Sequence, residues 1–183
     1  YQTKSWPALT QGLTGAMDQD DGSTLLSISD QLSSRNADGT YKDNGAEVIS
    51  AINCLDYPVV GDTESWDAEA EEIEEASPTF GSVLTYSDLY CQVWGHESTR
   101  TRDPIHASGA APILVIGTKD DPATPYAWSE SLASQLDDGH LLTWEGQGHT
   151  AYGRAGDCIS RAVDSYLLAG QLPEEGLTCA ADK

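Results

Sequence analysis

Two short stretches near the C-terminal end of this 183-residue chain hold the residue types that base catalysis requires. One runs Ala111-Pro112-Ile113-Leu114-Val115-Ile116-Gly117-Thr118-Lys119-Asp120-Asp121-Pro122-Ala123-Thr124-Pro125; the other is Gly146-Gln147-Gly148-His149. A histidine serves as general base only when one tautomer is held, and a carboxylate accepting its Nδ1–H does this while stabilising the imidazolium. Asp121 and His149 are the expected orienting acid and base. Asp120 competes for the acid role, but Asp121 stands where the chain turns into Pro122-Ala123-Thr124-Pro125 and is preferred. A matching nucleophile is missing: Gly-x-Ser-x-Gly occurs nowhere in the chain. Ser108, in His106-Ala107-Ser108-Gly109-Ala110, lacks the first glycine and precedes the acid too closely. His96, His106 and His140 read as surface or structural. The chain thus supplies acid and base, and the serine and oxyanion hole are expected on a preceding segment of the same precursor, leaving this chain inactive by itself.

The elements that must position these two side chains are legible. Ile113 to Ile116 is a continuous apolar, β-branched run, the pattern of a parallel strand covered on both faces. Thr124 followed by Pro125 reads as a helix cap and first helical residue, with Trp128, Leu132 and Leu136 on one face. Asp138-Gly139 turns the chain into a second strand from His140 to Trp144. Asp157 is expected to cap a last helix that turns Ile159, Ala162, Val163, Tyr166 and Leu167 inward and stops at Gly170 and Pro173. Asp121 and His149 each follow a strand, at the carboxyl edge where open α/β sheets place their sites. The reading is therefore an α/β class chain: residues 111–183 form the last parallel strands and helices of an α/β-hydrolase, in which Asp and His follow Ser in chain order.

Residues 1–110 read as mainly helical and irregular. Ser5 is placed to cap a helix carrying Leu9, Leu13, Ala16 and Met17 at amphipathic spacing. Leu25, Ile28 and Leu32 suggest a second helix, and Asn36-Ala37-Asp38-Gly39 a turn. Val48, Ile49 and Ile52 suggest a third helix leading to Cys54. Glu64 to Glu75 holds seven acids in twelve positions around Trp66 and Ile73, a solvated helix face. A further segment with Phe80, Val83, Leu84, Leu89 and Tyr90 ends at Cys91.

Composition excludes several classes. Nine Lys and Arg against thirty acids give a net charge of −21, the wrong sign for a phosphate backbone, so no nucleic-acid partner is expected. No apolar stretch reaches the roughly 18 residues that a membrane span needs. No basic start precedes an apolar run, so a signal peptide reads as absent or removed. Four cysteines without Cys-x-x-Cys spacing, and no His-Glu-x-x-His helix, argue against a metal site, and no cofactor is expected. An even cysteine count favours disulfides and hence an exported protein. Of three connectivities, neighbour pairing closes the smallest loops and is preferred: Cys54 with Cys91, Cys158 with Cys179.

The block Pro112 to Gly117, Asp121-Pro122-Ala123-Thr124-Pro125, Gly146-x-Gly148-His149, Cys158, Tyr166-Leu167-x-x-Gly170-x-Leu172-Pro173 and Gly176-x-x-Cys179 resembles the C-terminal domain of tripeptidyl-aminopeptidase-like secreted α/β-hydrolases of actinobacteria. Upstream, Ser5-Trp6-Pro7-Ala8-Leu9, Ala51-Ile52-Asn53-Cys54-Leu55-Asp56 and Cys91-Gln92-Val93-Trp94 agree with it. The resemblance implies that Asp121 and His149 are triad acid and base, that the region before about residue 110 is the cap after the nucleophile strand, and that the activity is release of short peptides from a free N-terminus. It also implies a secreted or envelope-associated serine peptidase with a peptide substrate. An esterase or lipase-like hydrolase uses the same triad, and a non-catalytic binding or assembly subunit would keep the scaffold alone. An aminopeptidase must hold a substrate ammonium, and Asp56, beside Cys54, is the candidate carboxylate for it, against a structural reading in which it caps a helix or bonds a loop.

Overall fold

The computed structural model describes residues 3–181. In chain order the elements are α1 (Trp6–Gln19), α2 (Ser23–Leu32), α3 (Gly45–Asp56), α4 (Thr63–Ala76), α5 (Leu89–Trp94), β1 (Ile113–Asp120), α6 (Tyr126–Gln135), β2 (Gly139–Gln147), α7 (Gly156–Ala169) and β3 (Thr178–Ala180). Two compact units divide the chain: Tyr1–Leu25 with Pro104–Lys183, and Leu26–Asp103. The fold is that of the C-terminal part of an α/β-hydrolase.

In the first unit the sheet has the order β1-β2-β3 and every pair is parallel. Alternation along the strands sends Leu114, Ile116, Leu142 and Trp144 to one face. There they meet Ala151, Ala155, Ile159, Ala162 and Val163, so that Leu142 and Ile159 are wholly buried. The opposite face receives α6: the Tyr126 ring and Ser129 Cβ lie against Gly117, and the Tyr126 and Thr143 hydroxyls are hydrogen-bonded at 2.6 Å. Cys158 on α7 is bonded to Cys179 on β3, and Cys179 is 1% exposed, so this disulfide ties the last helix to the last strand through the core. The Tyr166 hydroxyl donates to the Pro112 carbonyl, fastening α7 to the entry of β1.

Several local expectations are corrected. The third strand, β3, was not expected; three residues around a cysteine carry too little pattern, and their pairing with Thr143–Glu145 is what makes them a strand. Helix α6 starts at Tyr126 with Pro125 at the N-cap and no side-chain cap bond, because the Thr124 hydroxyl and amide are both taken by Asp121. Its inward side is Tyr126 and Ser129, so Trp128, about 200° round the helix from Tyr126, is 62% exposed. Asp157 is the second residue of α7 and pairs with Arg161 instead of capping, the N-cap being Ala155. Ile159 and Val163 do turn inward, but Leu167 is exposed. Helix α1 forms after Ser5, which makes no side-chain cap bond; its Leu9, Leu13 and Met17 stripe is exposed and Gly12 packs on Leu25.

The second unit is helical, with a single isolated bridge between Arg35 and Tyr41. The acidic segment is helix α4, entered through a capping box in which Asp62 accepts from the Ser65 amide and the Ser65 hydroxyl returns a contact to the Asp62 amide. Its acids face solvent while Trp66 and Ala70 are buried. The Tyr86 hydroxyl donates to Asp67 at 2.7 Å, tying the following loop to α4. Cys54 at the end of α3 is bonded to Cys91 on α5.

Candidate active site

Asp121 directly follows β1, and His149 stands two residues beyond β2. Their meeting depends on the last rungs of the ladder. Thr118 pairs with Trp144 but Asp120 pairs with Gln147, so β2 holds one residue more than β1 over this interval, a bulge at Glu145-Gly146. Gly146 permits it: a Cβ there would lie 2.2 Å from the Trp144 indole, which folds across the strand. Gly148 then takes φ 110°, a conformation that disfavours residues with a Cβ, and its amide donates to the Asp120 carbonyl at 3.1 Å. This hands the next residue, His149, across to Asp121.

The His149 Nδ1 lies 3.1 Å from both oxygens of Asp121. The Asp121 side chain is 3% exposed and that of His149 is 32% exposed. The carboxylate is therefore held inside the fold while the imidazole reaches its surface. Four further donors converge on Asp121: the Ala123 and Thr124 amides on Oδ1, and the Thr124 hydroxyl and Thr150 amide on Oδ2. Burial by itself pushes this carboxyl up, but the amides of Thr124, Ala123 and Thr150, with the Thr124 hydroxyl, outweigh it and hold the group well below the usual carboxylate range. Such a group stays ionised and acceptor-only across the working range of an enzyme. An acceptor-only carboxylate takes the proton of the His149 Nδ1, and in the neutral imidazole Nε2 is then the acceptor. The pair has the form of an orienting acid and a general base.

Asp120, the competing acid, ends β1, is exposed, and contributes its carbonyl to Gly148. Ser108 donates its hydroxyl to Asp137, whose other oxygen lies 3.6 Å from His106 Nδ1; His140 pairs with Asp138, and His96 packs edge-on against Trp94. Asp56 lies in the other unit, where its carboxylate receives the Arg100 guanidinium at 2.8 Å. Among the described residues no group of three or more His, Cys, Asp or Glu is arranged to hold a metal ion. No helix among them is long and apolar enough to cross a membrane. Sequence reading gave Thr124 a capping role and passed over Thr150. The first had a signal, the Asp-x-x-Thr spacing of a side-chain turn; the second had none, because it acts through its backbone.

The family model described as TAP-like protein matches residues 77–179, which include α5, β1, β2 and all of β3 but its last residue. The chain belongs to the TAP-like protein family. Among curated relatives of this TAP-like chain, carboxylesterase B of Mycobacterium tuberculosis is 35% identical over 98% of the chain and 35% of its own length. The serine protease Hip1 of the same organism is 35% identical over 98% of the chain and 34% of its own length. A tripeptidyl aminopeptidase of Streptomyces lividans is 27% identical over 75% of the chain and 26% of its own length. The TAP-like chain thus spans about a third of the length of the first two relatives.

Proposed function

We propose that this chain carries the acid and the base of a Ser-His-Asp triad, and that the serine and oxyanion hole lie on a part of the protein outside these residues. The observation that carries the reading is the bond from His149 Nδ1 to the buried, five-fold coordinated carboxylate of Asp121. In the reaction the serine Oγ attacks a carbonyl carbon and His149 Nε2 takes the hydroxyl proton. The same nitrogen then gives that proton to the departing amine or alkoxide, and in the second half it activates water to release the acyl group. Asp121 stays ionised throughout.

The substrate class proposed is a peptide with a free N-terminus, cleaved to release a short peptide as by a tripeptidyl aminopeptidase. The peptidase names among the relatives favour it. A short-chain acyl ester is the second reading, favoured by a carboxylesterase relative at the same 35% identity. Residues 1–110 are proposed as the cap and 111–183 as the hydrolase segment. Two disulfides in a strongly acidic chain support a secreted or envelope-associated location. Asp56 as the ammonium anchor would have to exchange Arg100 for the substrate, and Asp56→Asn tests it: a full preference for free over acetylated peptides in that variant assigns Asp56 to the loop it braces.

The central test uses the full-length protein. His149→Ala should abolish hydrolysis of tripeptide anilides with a free amine, Asp121→Asn should lower kcat about 10⁴-fold, and Asp120→Asn should be mild. Asp120→Asn as the more damaging change would move the acid by one residue. Turnover of short acyl esters above that of free-amine peptides would select the second reading.

A further inference from the structure

Thr150, the residue after the base, has φ 66°, in the left-handed region that β-branched side chains avoid. The conformation has a consequence at the site, since it aims the Thr150 amide at Asp121 Oδ2, 3.1 Å away. Something must hold a threonine there. The Arg154 Nη2 donates to Thr150 Oγ1 at 2.7 Å. Arg154 is itself fixed by its amide on the Ala151 carbonyl, alongside the Ala155 amide on the same acceptor, and Ala151 and Ala155 are core residues. In a chain with nine Lys and Arg for thirty acids, a guanidinium facing a neutral hydroxyl calls for a reason. No carboxylate among the described residues pairs with Arg154.

We propose that Arg154 is a positioning residue for the base: it straps the Thr150 side chain, keeps that backbone left-handed, and so aligns Asp121 and His149 without touching substrate. The proposal rests on the reading of Asp121 and His149 as triad acid and base. It makes a particular demand, because glycine takes φ near 66° with no Cβ penalty and needs no strap. The importance of Arg154 must therefore depend on which residue stands at 150.

The test measures kcat, KM and Tm on the full-length protein with a free-amine tripeptide anilide. Arg154→Gln should lower kcat about tenfold, the cost of a sub-ångström misalignment, with KM and Tm unchanged. Thr150→Val keeps the branched shape and removes the acceptor; it should match Arg154→Gln, and the double variant should be no worse than either. In a Thr150→Gly background, Arg154→Gln should change kcat by less than about twofold. Equal losses from Arg154→Gln in the threonine and glycine backgrounds would overturn the strap, as would a rise in KM at constant kcat, which reassigns Arg154 to substrate binding. His149→Ala separates the two levels. If it is inactive while Arg154→Gln and Thr150→Val match wild type, the strap fails and the triad reading stands; if it is active, both fall.

Discussion

A carboxylate that accepts from three backbone amides, one hydroxyl and one imidazole has no freedom left to rotate. The proposed role of Asp121 as orienting acid requires this, since a base must be aligned before the substrate arrives. The same arrangement makes Asp121 a pH-dependent contributor to folding. Its folded-state pKa is depressed, so the stability it adds is complete above the unfolded carboxylate value of about 3.9 and is lost as pH falls from there toward the folded value. Asp121→Asn removes the titration, and urea denaturation midpoints of the full-length protein measured between pH 2 and 6 should decline less steeply toward acid than those of the wild type. Equal slopes would show that the amides hold the group no better in the folded than in the unfolded chain.

Helix α7 and strand β3 reach one another only through packing and the Cys158–Cys179 bond. Strand β3 is three residues long and pairs on one side only, with β2, among the described residues. Such a short edge strand depends on its staple. Replacing both cysteines by alanine should cost about 3 kcal/mol by loop-closure entropy for a separation of 21, read as a lower denaturant midpoint of the full-length protein. Ile159, wholly buried beside it, should lose about 0.5–1.5 kcal/mol on conversion to valine. The two sites share one core, so their combination should be non-additive. The Cys54–Cys91 bond closes a longer span of 37 residues between α3 and α5, in a unit whose helices bury few side chains. Its loss should expose that unit to proteolysis while leaving the Asp121–His149 geometry unaltered.

A three-stranded parallel sheet with α6 on one face and α7 on the other leaves β1 with an unpaired edge among the described residues. Large apolar side chains also remain at the surface, with Met17, Leu32 and Leu168 each more than 80% exposed. Parallel sheets are stable when buried on both faces and paired at their edges. The rest of the protein is therefore proposed to pair with β1 and cover these side chains. Residues 1–183 expressed alone should bind a hydrophobic dye and melt without a sharp transition, whereas the full-length protein should melt cooperatively. A dye-free, sharply melting 183-residue monomer would remove this proposal.

The α/β class, the strand at Ile113, the helix ending at Gly170 and the pair Asp121 and His149 were all legible in the sequence, because each rests on local pattern: apolar continuity, turn residues and their order along the chain. Family membership was legible for the same reason, through motifs spread over nearly the whole chain. What tertiary structure decided were the features in which one segment answers another. Thr124 before Pro125 has the local pattern of a helix cap, but the buried carboxylate of Asp121 takes its hydroxyl instead. Spacing puts Trp128 on one face with Leu132 and Leu136, but Tyr126 packs on Gly117 across the sheet and sets the rotation of α6. Strand β3 exists through its partner and its disulfide, not through three residues of propensity. The extra residue in β2 and the left-handed turn at Thr150 leave no mark in composition or periodicity. Both are backbone events, imposed by the requirement that two chain segments meet within hydrogen-bond distance, and only the folded chain contains that requirement.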